Sequence, residues 1–372
     1  MKVIVLDNAW PAIPLLIREM VRQGIEVLYL SPDSPSPREL GRYCRHRRAP
    51  DMRDPGYRTF LLAVLEKETF DCLLPLCDDL LRLTWELPAE YVSRVFPRIE
   101  RGTRELFADR RKMYQFAHAL GIPTPRASDL PDIDALPSAG RTLGWPLVLR
   151  GIQGCAGTQV RIVDHEVAAA TAFATLSRIG PVFAQEFIRG ELYLAGALVD
   201  SGRVGQLFMS KVIETWPPPT GPSIRVMAAN EPELRFQSSR LFSALHWHGL
   251  IQADFIRLPN DGFRLLDVNP RLWGSIAAAE VCGAGLLEPF VRLLRGLPTP
   301  PPQSYAVGRS VTLFPQFVGA RLQAGAFPRL ADLSNYYAML SSVRLLSMPL
   351  IRHHLRRLYW QWAAYRSGSG NA

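Results

Sequence analysis

The chain has 372 residues, 48% hydrophobic and 21% charged, which allows two or three packed domains and excludes a disordered chain. A net charge of +9, from 43 Lys and Arg against 34 Asp and Glu, directs it toward anionic partners such as nucleotides, acidic metabolites, nucleic acid or lipid headgroups. Five cysteines (Cys44, Cys72, Cys77, Cys155, Cys282), an odd number without a CxxC pair, argue against a disulfide framework or a zinc ribbon and for reduced thiols in the cytoplasm.

In chain order, residues 3–6 (VIVL) form a β-branched apolar run, the mark of a buried strand. Ended by Asp7, the run is too short for a signal peptide, and no later stretch approaches the ~18 apolar residues of a membrane span. Residues 12–22 carry apolar side chains at helical spacing and Gly24 closes them. Residues 25–30 predict a second strand, SPDSPSP a loop, residues 60–67 a helix, and residues 72–76 a third strand. This βαβ pattern predicts a parallel, doubly wound domain over residues 1–105.

DRRKMYQFAHALGIPTP, starting at Asp109, predicts a helix stopped by Gly121 and then an extended Pro-rich segment. Strands are expected at residues 147–150 and 160–163, flanking GIQGCAGTQ, and at 182–188 after a helix at 166–176. Residues 192–199 and 205–213 predict an antiparallel pair around Asp-Ser-Gly, and residues 234–245 a helix. Residues 251–258 and 263–268 predict a hairpin around Pro-Asn-Asp-Gly. A helix over 275–282 ends at Gly283, and PTPPPQ from Pro298 marks a boundary before a C-terminal region.

Chemistry concentrates in three places. In the hairpin, Asp267 and Asn269 are two residues apart and share a face, which Asp254 on the partner strand can reach. Two carboxyl groups and an amide oxygen are hard donors suited to Mg2+, and Arg271 adds a fork for carboxylate or phosphate. The glycines of GIQGCAGTQ, including Gly154 and Gly157, let backbone N–H groups approach an anion. In FAQEFIRGE, an apolar strand carries Glu186 and Ile188 to a second acid, Glu191, a composition that can read adenine and ribose.

The order and spacing of DRRKMYQFAHALGIPTP, PLVLRGIQGCAGTQV, FAQEFIRGE and ADFIR…LLDVNPRLWGSI resemble the ATP-grasp superfamily. The likeness is strongest to its uncharacterised carboligase and carbamoyl phosphate synthase-like branch. It implies an α/β and α+β chain: a doubly wound pre-ATP-grasp domain (1–105), a two-subdomain ATP-grasp domain (106–298) and a C-terminal region (299–372). It also implies ATP and Mg2+ (or Mn2+) as cofactors. Asp254, Asp267 and Asn269 would ligate the metal. Glu186 and Ile188 would meet adenine, Glu191 ribose, and Gly154 and Gly157 the phosphates. Arg110 and Arg150 stand where the family usually has phosphate-binding lysines; they keep the charge but are wider and planar.

The activity implied is ATP-dependent joining of a small carboxylate to an amine through an acyl phosphate. Arg271, Lys211 and Arg225 are the expected catalytic residues, the last two flanking the PPPTGPS loop. The alternatives are a phosphotransferase and a weakly active nucleotide-binding protein at a membrane surface. The latter rests on the basic amphipathic segment PLIRHHLRRLYWQWAAYR, which also suits a homo-oligomer contact. The basic clusters lack a base-reading motif, so nucleic acid is not an expected partner.

Overall fold

The computed structural model describes residues 1–7, 12–32, 44–154, 159–259, 262–313 and 316–325. The chain begins with β1 (Lys2–Leu6), α1 (Ile13–Arg22), β2 (Glu26–Ser31), β3 (Cys44–Arg48), α2 (Tyr57–Lys67) and β4 (Cys72–Pro75). The strands form a parallel sheet in the order β3-β2-β1-β4. Val3 and Val5 join a core with Ile13, Leu16 and Ile17 of α1, whereas Ile4 and Leu6 pack with Leu61 and Val64 of α2. Burial on both faces is why these strands read as unbroken apolar runs.

Strand β3, CRHRR, lies inside a basic run and carries no apolar alternation. Its backbone pairs with β2 at the sheet edge, and Glu68 at the end of α2 neutralises Arg45 and Arg47.

Four helices follow: α3 (Asp78–Thr84), α4 (Ala89–Val92), α5 (Arg101–Ala108) and α6 (Arg110–Ala119). A smaller sheet then uses β5 (Ala127–Leu130), α7 (Leu136–Leu143), β6 (Leu147–Gly151), β7 (Val160–Val163), α8 (Glu166–Leu176) and β8 (Val182–Glu186). Its order is β5-β8-β6-β7, antiparallel throughout. Leu147, Leu149 and Ala184 face α7 and α8. Val148, Arg150 and Gln185 alternate to the opposite face.

The largest sheet runs β13-β12-β9-β10-β11-β14. It is built from β9 (Glu191–Asp200), β10 (Arg203–Thr215), β11 (Ser223–Ala229), α9 (Pro232–Ala244), β12 (Gly249–Arg257) and β13 (Phe263–Asn269). α10 (Ile276–Cys282), α11 (Leu287–Leu294), β14 (Ser310–Thr312) and α12 (Gln316–Gln323) complete the described chain. One face, with Leu198, Phe208 and Leu250, packs on α10, α11 and α1. The other, with Tyr193, Met209 and Phe255, packs on α9 and α6.

Two features of the large sheet depart from the sequence expectations. The segment after the proline loop continues into strand β11, because Ile224, Val226 and Ala228 supply a buried alternation. Past the proline boundary, β14 pairs antiparallel with β11, so the chain returns to the large sheet. Trp273 is 3% exposed, and its ring lies so close to β9 that a Cβ on Gly196 would be 2.2 Å from it. The predicted basic helix lies outside the described residues.

Candidate active site

Strands β12 and β13 bring two carboxyl groups together. Asp254 is the register partner of Asp267, and Gln252 that of Asn269. The register shifts immediately after Asp254, so Leu266 is the extra residue of a bulge. Its carbonyl, released from the ladder, accepts from Tyr114 Oη at 2.8 Å and Arg150 Nη1 at 2.9 Å. The bulge thereby turns the strand end toward α6 and the small sheet.

Helix α6 delivers Arg110. Asp109 caps the helix, its carboxylate accepting from Arg111 N at 2.9 Å, and this fixes Arg110 at the first helical position. Arg110 Nε and Nη2 donate to Asp267 Oδ1 and Oδ2, both at 3.0 Å. Nη1 donates to Gly151 O at 3.1 Å and Nη2 also to Gly154 O. From β6, Arg150 Nη2 donates to Asp267 Oδ2 at 3.4 Å. One guanidinium thus ties helix, glycine loop and carboxylate strand together, while a second backs the same carboxylate.

The two carboxyl groups respond in opposite directions. Burial pushes both up; at Asp267 the charges of Arg110 and Arg150 overcome it and hold the group below the usual range. Asp254 keeps the burial effect, reinforced by the negative charge of Asp267, and rises to about 7. Its Oδ1 is buried without a hydrogen-bond partner among the described residues.

The loop after β6 needs a glycine at position 154, where φ is +112° and a Cβ would lie 3.0 Å from Gln159 atoms. Gly157 lies outside the described residues.

Arg271 has a different setting from the one expected. Its side chain is 4% exposed. Nε and Nη2 donate to Asp78 Oδ2 at 3.0 and 2.8 Å, Nη2 also to Asn269 Oδ1 at 2.9 Å, and Nη1 to Leu272 O at 3.0 Å. The guanidinium braces α3 against β13. Asp78 and Tyr114 are the residues that sequence reasoning missed. The CDD at the end of the third strand was the available signal for Asp78; nothing in the sequence singled out Tyr114.

Other predicted residues are not drawn into this cluster. Glu186 accepts from Arg126 N at 2.9 Å and Arg126 Nε at 2.7 Å, and Ile188 is half-buried between β8 and β9. Lys211 donates to Glu191, which raises the lysine pKa. Strand register places this pair with Tyr193 and Phe255, on the sheet face opposite Asp254. Arg225 stacks on Phe317 of α12 at 4.9 Å, and Glu214 lies near it and pairs with Arg321. Lys211 and Arg225 therefore stand away from the carboxylates with which the sequence grouped them.

The donor set fits a divalent cation of the Mg2+ type. Asp254 has an unpartnered oxygen opposite Asp267, with the amide of Asn269 two residues on. Among the described residues no three His, Cys, Asp or Glu side chains cluster to hold a metal. A cation here would rest on two carboxyl groups, an amide and the phosphates of a nucleotide.

Comparisons with known proteins bear on the fold that carries these residues. Residues 107–275 match the family model described as the ATP-grasp domain. The carbamoyl phosphate synthase large chain of Thermomicrobium roseum is 25% identical over 205 residues, covering 52% of this chain. The chain spans about a fifth of that relative, 19% of its length. The biotin carboxylase domain of Hydrogenobacter thermophilus 2-oxoglutarate carboxylase, solved with MgADP, ADP and bicarbonate, superposes with a TM-score of 0.68 at 14% identity. That match covers 83% of this chain and 73% of the other. Staphylococcus aureus N5-carboxyaminoimidazole synthetase with ADP gives 0.64 at 13% identity, covering 83% and 80%.

Proposed function

From the ATP-grasp domain that this chain carries at residues 107–275, we propose an ATP-dependent ligase that joins a carboxylate to an amine through an acyl phosphate. The observation that carries the reading is the convergence of Arg110, Gly154, Asp267 and Asn269 on one cavity. Such a cavity joins phosphate-binding donors to cation-binding oxygens. The domain match and the nucleotide-bound neighbours support the same reading.

A carboxylate is a poor electrophile. In the proposed reaction one of its oxygens attacks the γ-phosphorus of ATP, and the bond from that phosphorus to the β–γ bridging oxygen breaks, releasing ADP. The amine then attacks the acyl carbon, phosphate leaves with the electron pair of the C–O bond, and the nitrogen loses a proton to give the amide. Arg110 and Arg150 supply positive charge to the transferring group once they exchange Asp267 for phosphoryl oxygens. Gly151 and Gly154 bring backbone close to the phosphates. Asp254, Asp267 and Asn269 would hold Mg2+, which when bound neutralises phosphoryl charge. Glu186 and Ile188 remain the proposed adenine contacts and Glu191 the proposed ribose contact.

A reaction consuming ATP and small acids belongs in the cytoplasm. No helix among the described residues is long and apolar enough to cross a membrane. Steady-state release of ADP and phosphate across pools of acids and amines, with Asp267→Ala as the blank, tests the reading. Amine-dependent release in wild type and its loss in the variant are expected. A phosphorylated acid accumulating to completion without amine would instead mark a phosphotransferase.

A further inference from the structure

We propose that Arg82, on helix α3 of the N-terminal unit, grips the anionic group of the acid substrate; this rests on the ligase reading and names its substrate-binding arginine. The motif made Arg271 the natural choice, but Arg271 is buried and its donors are taken by Asp78, Asn269 and Leu272 O. The cavity of about 30 Å³ beside Asp267 and Asn269 is lined by two arginines, Arg82 and Arg110. Arg110, which donates to Gly154 O, is the one assigned to the nucleotide phosphates in the proposed reaction. Arg82 remains for the substrate.

The place of α3 in the fold supports this. Chain connections leave β1 on one side toward β2 and β3 and on the other toward β4, so the β1–β4 junction is the switch point of the parallel sheet. In open α/β sheets, ligands bind outside the carboxyl ends of strands at such a point. Helix α3 starts three residues after β4 ends, and its first residue, Asp78, lines the cavity together with Arg82.

The chemistry of Arg82 fits capture of an oxyanion. Its side chain is 19% exposed, and its hydrogen-bonded partner is Asp79 on the same helix, 44% exposed. A carboxylate that wet is a weak, water-screened partner, readily exchanged for a ligand. A guanidinium offers two parallel donors to a carboxylate or phosphate, which is the geometry needed to aim a substrate oxygen at the γ-phosphorus.

Phenylglyoxal labelling of the full chain, followed by peptide mass mapping, tests the assignment. Malonate and inorganic phosphate serve as probe anions, each with and without ADP. Arg82 is expected to be modified and Arg271 to be spared. One of the anions should slow modification of Arg82 roughly fivefold at several times its half-protecting concentration. Protection by malonate identifies a carboxylate site, and protection by phosphate alone a phosphorylated acid. Modification of Arg82 unaffected by either anion, or Arg271 labelled at the same rate, overturns the proposal. MgADP that shows no binding to the full chain by equilibrium dialysis counts against the nucleotide reading instead, so the two failures are separable.

Discussion

Asp78 Oδ2 accepts from both Nε and Nη2 of Arg271, at 3.0 and 2.8 Å, across a sequence separation of 193 residues. The acid lies outside residues 107–275, the span of the ATP-grasp family match, and the arginine lies within it. A carboxylate from the N-terminal unit thus sets the position of Asn269 through Arg271.

Removing that carboxylate leaves a buried guanidinium uncompensated. Asp78→Ala is expected to cost about 3–5 kcal/mol, read by urea denaturation. Arg271→Met alone should cost a similar amount. The double variant should be less destabilised than the sum of the two, because the unpaired charge is then gone. Additive losses would show that the pair contributes nothing.

Arg110 competes for the oxygens that a divalent cation would use. Lysine keeps the charge but cannot span both Asp267 oxygens and two carbonyls. Arg110→Lys is therefore expected to bind Mn2+ more tightly in the absence of nucleotide, by about tenfold, equivalent to ~1.4 kcal/mol. Electron paramagnetic resonance of free Mn2+ measures it, and an unchanged or weaker affinity contradicts the competition.

Asp254 sets a pH dependence of stability. Burial, and Asp267 after it, raise its folded pKa to about 7, against about 3.9 in an unfolded chain. The folded state then holds the proton more tightly. The contribution is fully present below the unfolded pKa and is lost as pH rises through about 7. Asp254→Asn removes this slope. In EDTA, the melting temperature of the variant should gain on wild type by several degrees between pH 5 and pH 8. A constant difference across that range would show that Asp254 ionises normally.

Gly196 is required by Trp273. The ideal Cβ at this position would be 2.2 Å from the indole, and β9 is held between β12 and β10, so the backbone cannot move away. Gly196→Ala is expected to cost about 1–3 kcal/mol by chemical denaturation. Trp273→Leu in the same chain should recover part of that loss.

The sequence by itself determined the order of elements and the identity of the chemical groups. Apolar runs announced β1, β2 and β4, helical periodicity announced α1, and the spacing of Asp267 and Asn269 placed both on one face of a strand. These are local properties, set by side-chain period and turn chemistry within a few residues. Tertiary structure decided which groups meet. The charged strand β3 exists through backbone pairing that leaves no side-chain pattern, and β14 returns to the sheet from beyond a proline boundary. Sequence reasoning grouped Lys211 with Asp254 in one site, yet register puts them on opposite faces of one sheet. Arg271 was legible as a guanidinium beside the metal-type donors, but its engagement by Asp78 depends on the placement of α3 beside β13. Ion pairing and burial act through space, and so the roles of Arg82, Arg110 and Arg271 separated only once the chain was folded.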